Sequence, residues 1–326
     1  MSKILKTKVT EMLGIEYPIF QGCMQWIAKA ELVAAVSEAG GMGILSSSTF
    51  SNKDDLRAEI KKIKALTSKP FAVNLTFFPS LTVQDHEGYI NVCIEEGVTL
   101  METAGRMPGD DVIKQIKEGG LIWMHKCTTL KHALKAQSMG CDLVVADGFE
   151  CAGHPGEKDI GTMVLTALCV EKMHVPIVSA GGIGTGKQMA AALMLGADAV
   201  YMGTRFLLSK ESPVMDSVKD FLAEKATEVD TALVMRPFVN SMRVYNSALV
   251  KDINAREKAG CKFDAIRDDV SGAHACKLFF ETGDLDKDGV ISYGQVGGLL
   301  DKVLPVKEIV DSMMADCEKA LCRFDA

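Results

Sequence analysis

Residues Leu143–Glu157 read LVVADGFECAGHPGE. The run Leu143-Val144-Val145-Ala146 is short, apolar and β-branched, and it ends in Asp147-Gly148, the pattern of a buried strand running into a turn. After the loop, Gly161 to Met173 reads as a helix. A strand–loop–helix unit, if repeated, builds a parallel sheet. The loop in this unit carries His154 between Gly153 and Pro155-Gly156. Glycine lets backbone approach a ligand closely, and histidine titrates near neutral pH without help. A loop histidine is as readily a solvated surface residue, so the rest of the chain must decide its meaning.

Outward from this unit the same rhythm recurs. Pro18–Gly22, Met42–Ser46, Phe71–Thr76, Val98–Thr103 and Leu121–Lys126 read as strands before it, Pro176–Ala180 and Ala199–Met202 after it. Between them lie helical patterns at Ala30–Ala39, Lys53–Leu66, Tyr89–Glu96, Asp111–Glu118, Leu130–Met139 and Lys187–Leu195. Eight such units predict an α/β chain closed as a (β/α)8 TIM barrel, a doubly wound open sheet being the runner-up. The barrel is expected over residues 1–208. From Ser209 the rhythm stops. Ser212–Glu228 and Arg236–Lys258 read as helices with no strand between them, giving a helical insertion after strand eight over 209–270. Residues 271–326, with a helical stretch at Leu299–Leu321, are expected to pack back on the barrel.

The 326 residues are 48% hydrophobic and 24% charged, the balance of a folded globular chain. A net charge of −7 with no Lys/Arg-rich block argues against nucleic acid or an anionic membrane as the main partner. The first residues lack the apolar core of a secretory signal, and no apolar run reaches membrane-span length. Ten cysteines are scattered without a C-x-x-C pair, which suggests reduced thiols and a cytoplasmic location. The expected partner is a small molecule, and a homodimer is the oligomer held in view.

In a barrel, functional residues collect at the C-terminal ends of the strands. Strand one ends in Gln21-Gly22-Cys23-Met24-Gln25, strand three in Asn74-Leu75-Thr76, strand five in His125-Lys126-Cys127-Thr128, strand seven in Ala180-Gly181-Gly182 and strand eight in Gly203-Thr204-Arg205. The glycines after strands seven and eight suit a phosphate held by backbone N–H groups, or equally a pair of tight turns. Gly181–Gly186 is not a Rossmann fingerprint, since register and acidic residue are lacking. Lys126 would offer a positive charge in the same mouth, to an electron-rich ring or a phosphate.

Gln21-Gly22-x-Met24, Asn74-Leu75-Thr76, Ala152-Gly153-His154, Ala180-Gly181-Gly182 and Met202–Phe206 together resemble the nitronate monooxygenase (formerly 2-nitropropane dioxygenase) family, from about Val9 to the C-terminus. Gly283-Asp284 and Gly294-Gln295 share in the likeness. Met24-Gln25-Trp26, His125–Thr128, His132–Ala136 and Asp147–Glu157 are most similar to its FMN-dependent NADH:quinone reductase branch. The resemblance implies FMN as cofactor and NADH as a candidate electron donor. It implies ring contacts at Gly22, Cys23, Met24, Gln25, Asn74, Thr76, Lys126, Ala152 and Gly153. The phosphate would rest on Ala180, Gly181, Gly182, Gly203 and Thr204, and Pro79 in the loop Phe77–Val83 would help hold nicotinamide. His154 would be the catalytic group beside the substrate, and no metal is implied. The family commonly has glycine where this chain has Cys23. The activity implied is oxidation of alkyl nitronates with O2, or electron transfer from NADH to quinones; the alternative is a flavin-dependent enoyl-ACP reductase, which shares the fold and the Gly-His pair.

Asp284-x-Asp286-x-Asp288-Gly289 resembles the opening of an EF-hand loop, but position twelve is Gln295, which cannot supply the bidentate carboxylate. A polar turn is the better reading. Readings from other classes are a calcium-responsive protein on an inactive barrel and a flavin-free phosphosugar or nucleotide enzyme.

Overall fold

The computed structural model describes residues 5–77 and 85–324. A short helix α1 (Lys8–Leu13) precedes the barrel. Then follow β1 (Ile19–Gln21), α2 (Ala30–Glu38), β2 (Gly43–Ser46), α3 (Lys53–Leu66), β3 (Phe71–Phe77), α4 (His86–Glu95), β4 (Leu100–Gly105), α5 (Asp110–Glu118), β5 (Ile122–Cys127), α6 (Leu130–Ser138), β6 (Leu143–Asp147), α7 (Thr162–Lys172), β7 (Ile177–Ala180), α8 (Gly186–Met194) and β8 (Ala199–Met202). All eight strands pair in parallel, and β8 returns to β1 through Ile19–Val200, Phe20–Tyr201 and Gln21–Met202. A bridge between Phe20 and Met42 joins β1 to β2, with the Gln21 N–H on the Met42 carbonyl at 2.9 Å. The ring thus closes as a barrel, and the open doubly wound sheet is set aside. Side-chain caps start several of the helices that follow the strands, as at Asn52 before α3, Thr129 before α6 and Thr185 before α8.

Strand side chains alternate between faces, which sorts the barrel into two shells. Phe20, Ile44, Ala72, Leu100, Met124, Leu143, Val145, Val178, Ala199 and Tyr201 fill the interior, and Val9 and Leu13 of α1 join them. Ile19, Leu45, Val73, Met101, Trp123, Val144, Ile177 and Val200 face outward into the layer of helices. Toward the C-terminal ends of the strands the inward positions turn polar, with Asn74, Glu102, Lys126 and Asp147. Among the described residues, no helix is long and apolar enough to cross a membrane.

After β8 come α9 (Thr204–Leu207) and α10 (Asp216–Lys225), and then an antiparallel hairpin of β9 (Thr231–Val234) and β10 (Met242–Tyr245) before α11 (Ala248–Lys258). The expected helix over Arg236–Lys258 is therefore helix only at Ala248–Lys258, with β10 in the part before it and β9 between it and α10. Pro237 lies between the two strands, and a proline inside a helix both removes a hydrogen bond and clashes with the preceding turn. Val234, Met242 and Val244 of the hairpin pack with Val250, Ile253 and Ile266 in a small core of their own. The chain then runs through α12 (Gly272–Lys277) to α13 (Val306–Leu321), whose Val306, Ile309, Val310 and Met313 share one apolar cluster with Met189 of α8 and Leu32 and Val36 of α2.

The Asp284–Gln295 segment is a polar turn. The Asp288 carboxylate pairs with Lys277, Asp284 with Lys287 at 3.2 Å, and Asp286 accepts the Ala248 N–H at 2.8 Å. Its three carboxylates engage three different partners.

Candidate active site

The mouth of the barrel is organised around Lys126. Period-2 alternation along β5 sends His125 and Cys127 outward and Lys126 inward. There the Lys126 Nζ donates to the Tyr201 hydroxyl at 2.9 Å, stands 4.2 Å from that ring's centre, and lies 3.8 Å from Glu102 Oε1 and 3.9 Å from Asp147 Oδ2. Glu102 is fully buried. Its Oε2 accepts from Asn74 at 2.8 Å and from the Tyr201 hydroxyl at 3.1 Å, while Oε1 has no hydrogen-bond partner. The Thr76 hydroxyl donates to Asn74 Oδ1 at 2.8 Å, and the Cys23 N–H donates to the Tyr201 hydroxyl at 2.8 Å. Four strands and the loop after β1 thus meet in one hydrogen-bonded network.

Burial opposes the Lys126 ammonium, but Tyr201, Glu102 and Asp147 outweigh it and hold the amine well above its ordinary value. Burial raises the Asp147 carboxyl despite the nearby ammonium, and burial with Glu102 raises the Tyr201 phenol far up. The lysine is a fixed cation at neutral pH and the tyrosine a neutral relay. Burial, then Glu102, pushes the Cys23 thiol up to about 12, so it is protonated at neutral pH and a poor nucleophile. Cys23 packs on the barrel interior, where its small side chain finds room.

The expected site residues fall into three groups. Gly22, Cys23, Asn74, Thr76 and Lys126 converge on the Tyr201 network. Gly22 is packed there: a Cβ would lie 2.6 Å from the Tyr201 ring and 3.2 Å from the Met202 carbonyl. Met24 reaches across to the β8 loop, its sulfur 3.9 Å from where a Gly203 Cβ would be, an ordinary van der Waals distance. Gln25 is turned aside, its amide donating to the Ser48 carbonyl at 2.9 Å on the exposed rim. Ala180 points its side chain into the barrel core. Its carbonyl accepts the Gly148 N–H at 2.9 Å.

Gly181 and Gly182 both have left-handed backbone, φ 92° and 70°. A Cβ on the first would strike the Gly148 carbonyl at 2.6 Å, and on the second the Glu150 side chain at 2.9 Å. These glycines therefore have a packing role as well as a place for an anion. They border a cavity of about 490 Å³ shared with Glu150, Thr162, Gln188 and Gln295. The Glu150 carboxylate accepts the Thr162 N–H at the start of α7 at 2.9 Å. The Thr204 hydroxyl accepts the Gly294 N–H at 3.1 Å, and the Gln295 N–H reaches the Glu150 carbonyl at 3.2 Å. Pro79 and the rest of its loop beyond Phe77 lie outside the described residues.

Ala152, Gly153 and His154 sit on the loop after β6, which β10 holds from outside. Gly153 and Arg243 exchange backbone hydrogen bonds, 3.0 Å in one direction and 2.6 Å in the other. The Arg243 guanidinium donates to the Phe149 carbonyl at 3.0 Å and stacks 4.5 Å over the Phe149 ring. Glu157 accepts from the Ser241 N–H and hydroxyl at 2.7 and 2.6 Å. Gly153 has φ 73° and the nearest atom to its missing Cβ is Ser292 Oγ at 3.9 Å, so this turn is free to approach a ligand. His154 is partly buried. Burial lowers its imidazole to about 4; Glu157 pulls the other way and the Lys126 charge adds to the fall.

Glu102, Asp147, Tyr201 and Arg243 escaped the sequence reading. Glu102 in LMETAG and Tyr201 in AVYM are polar groups on the inner face of apolar strands, and counting by twos from Leu100 and Ala199 would have flagged both. Arg243 needed the hairpin to be recognised first.

The packing at Gly22 gives a direct test. Gly22→Ala forces a Cβ onto a ring that is pinned by Lys126, Cys23 and Glu102, and should cost about 1–3 kcal/mol, the usual range for overpacking. A urea midpoint equal to the parent's would show that Tyr201 moves freely.

A family model described as nitronate monooxygenase matches residues 6–316. A (3aS,4S,5R,7aS)-5-hydroxy-7a-methyl-1-oxo-octahydro-1H-indene-4-carboxyl-CoA dehydrogenase from Rhodococcus jostii is 34% identical, over 99% of this chain and 98% of its own. The structure of FabK from Thermotoga maritima is 34% identical with a TM-score of 0.90, covering 98% of this chain and 99% of that one. The nitroalkane oxidase of Streptomyces ansochromogenes is 25% identical with a TM-score of 0.84, covering 97% and 99%.

Proposed function

Because the chain belongs to the nitronate monooxygenase family of oxidoreductases, we propose that it is an FMN-dependent enzyme that oxidises alkyl nitronates with O2 or passes electrons from NADH to quinones. The observation that carries this reading is the Lys126 ammonium, held at the mouth by Tyr201, Glu102 and Asp147. When bound, FMN supplies two-electron redox chemistry. A fixed cation in this place favours the negative charge that flavin reduction puts on the N1/C2=O edge.

The residues present fit the cofactor. Glu102 Oε1 is a buried oxygen without a hydrogen-bond partner, beside the lysine. A Cβ on Gly153 or on Gly203 would meet its nearest neighbour, Ser292 Oγ or the Met24 sulfur, at 3.9 Å. Lys126, Asn74, Thr76 and the Cys23–Gln25 backbone would hold the ring, and Gly181, Gly182, Gly203 and Thr204 the phosphate. His154 would stand beside the substrate. An imidazole held near 4 is neutral at pH 7, able to orient a substrate oxygen through its N–H but a weak base for an α-proton. That favours a substrate already ionised, such as a nitronate, or a hydride donor such as NADH, over a neutral nitroalkane.

Anaerobic mixing of the purified protein tests the reading. Bleaching of flavin absorbance by NADH is expected for the reductase arm, and bleaching by ethyl nitronate for the nitronate arm. A colourless preparation that takes up no FMN would refute both. The enoyl-thioester alternative gains from the full-length relative named for a carboxyl-CoA compound. It predicts that protein reduced by NADH is reoxidised by an enoyl-CoA in the absence of oxygen.

A further inference from the structure

On the opposite face of β5 from Lys126, His125, Cys127 and His132 bring three metal-ligating atoms within 4.8 Å of one another. His125 and Cys127 share the outward face of the strand because they are two residues apart. His132 lies in the first turn of α6, fixed by the Thr129 side chain that accepts its N–H at 3.2 Å. The His125 and His132 Nε2 atoms are 3.2 Å apart. This is close to the roughly 3.3 Å edge of a tetrahedron whose metal–nitrogen bonds are about 2.05 Å.

The surrounding hydrogen bonds allow His125 Nε2 to be the bare nitrogen. The Trp123 indole N–H can only donate, and it donates to the Thr103 hydroxyl oxygen at 2.8 Å. The Thr103 hydroxyl has its own acceptor in the Met124 carbonyl at 3.4 Å. With Nδ1 as donor in the 2.6 Å contact between Thr103 Oγ1 and His125 Nδ1, the indole, the hydroxyl and the imidazole N–H all have acceptors. That leaves the His125 Nε2 lone pair aimed at His132. An imidazole whose far nitrogen donates to a neighbouring oxygen while the near one is bare is the arrangement of a histidine metal ligand.

We propose that His125, Cys127 and His132 form a site for a zinc-class divalent ion that ties β5 to the start of α6. One thiolate with two imidazoles suits a borderline-soft, tetrahedral ion better than a hard one such as magnesium. Cys127 is buried and His132 partly exposed, so the ion enters from the α6 side, and water completes the fourth position. Binding displaces the Cys127 thiol proton to solvent and shortens the sulfur–nitrogen separation by up to about 1.3 Å. The site lies behind the strand that carries Lys126 and takes no part in the redox step.

Cobalt(II) is the probe. Flavin-loaded protein, treated with a chelator and dialysed, is titrated with Co2+, and difference spectra are recorded against the same sample without metal. Saturation at one ion per chain is expected, with a sulfur-to-cobalt charge-transfer band and the intense visible bands of tetrahedral cobalt. Cys127→Ser should abolish the charge-transfer band. His132→Gln, on a partly exposed helix turn where folding is readily preserved, should weaken binding at least about tenfold. Absence of saturable binding, or spectra and affinity unchanged in His132→Gln, would overturn the site and leave the two imidazoles as a plain N–H···N pair.

Discussion

Replacing Lys126 by methionine should destabilise the folded chain by about 3–5 kcal/mol, because it leaves buried carboxylates without their cation. Glu102 is fully buried, and its Oε1, without a hydrogen-bond partner, lies 3.8 Å from the ammonium. Asp147 is nearly as enclosed and shares the same charge. Tyr201 loses a donor at its hydroxyl. The double variant Lys126→Met with Glu102→Gln should regain part of the loss, since the second change removes one stranded charge; lost packing alone would not be repaired this way. Flavin retention should fall as well, by about 10–100-fold in affinity for one lost charged hydrogen bond. Urea midpoints and the flavin-to-protein ratio after gel filtration report the two effects separately. A Lys126→Met protein as stable and as yellow as the parent would remove the lysine from both roles.

His154→Ala should leave folding and flavin content near the parent's and lower kcat/KM by about 10–100-fold, the effect of one lost hydrogen bond to a charged substrate. The pH profile gives a sharper signature. Because burial lowers this imidazole to about 4, its proton-binding form is present throughout the neutral range. Activity that needs neutral His154 should be flat from pH 8 to 5 and decline as pH falls through about 4. An ordinary exposed histidine would place the break near 6.5. Turnover of ethyl nitronate, already ionised when added at each pH and measured before it reprotonates, checks this. Unchanged kinetics in His154→Ala would remove the assigned role.

The eight βα units were legible because each strand is an apolar run bounded by turn residues and each helix an amphipathic stretch of ordinary length. Lys53–Leu66 and Ala199–Met202 were read to the residue. The glycine loops and Lys126 were legible because barrel geometry sends strand ends to one mouth. Glu102 and Tyr201 were not, since a buried carboxylate becomes interpretable only when its cation, on another strand, is known to face it. The hairpin was not legible because its strands are only four residues each, set in a segment whose Lys, Glu and Ala content favours helix. With the hairpin went Arg243, and with Arg243 the reason the His154 loop keeps its shape.

That hairpin has a consequence for the order in which the enzyme becomes an enzyme. A ribosome delivers all eight barrel strands, complete at Met202, before Arg243 and Gly294 have been made. At that point the loop bearing His154 still lacks the strand that Gly153 pairs with, and α2 and α8 still lack the apolar face of α13.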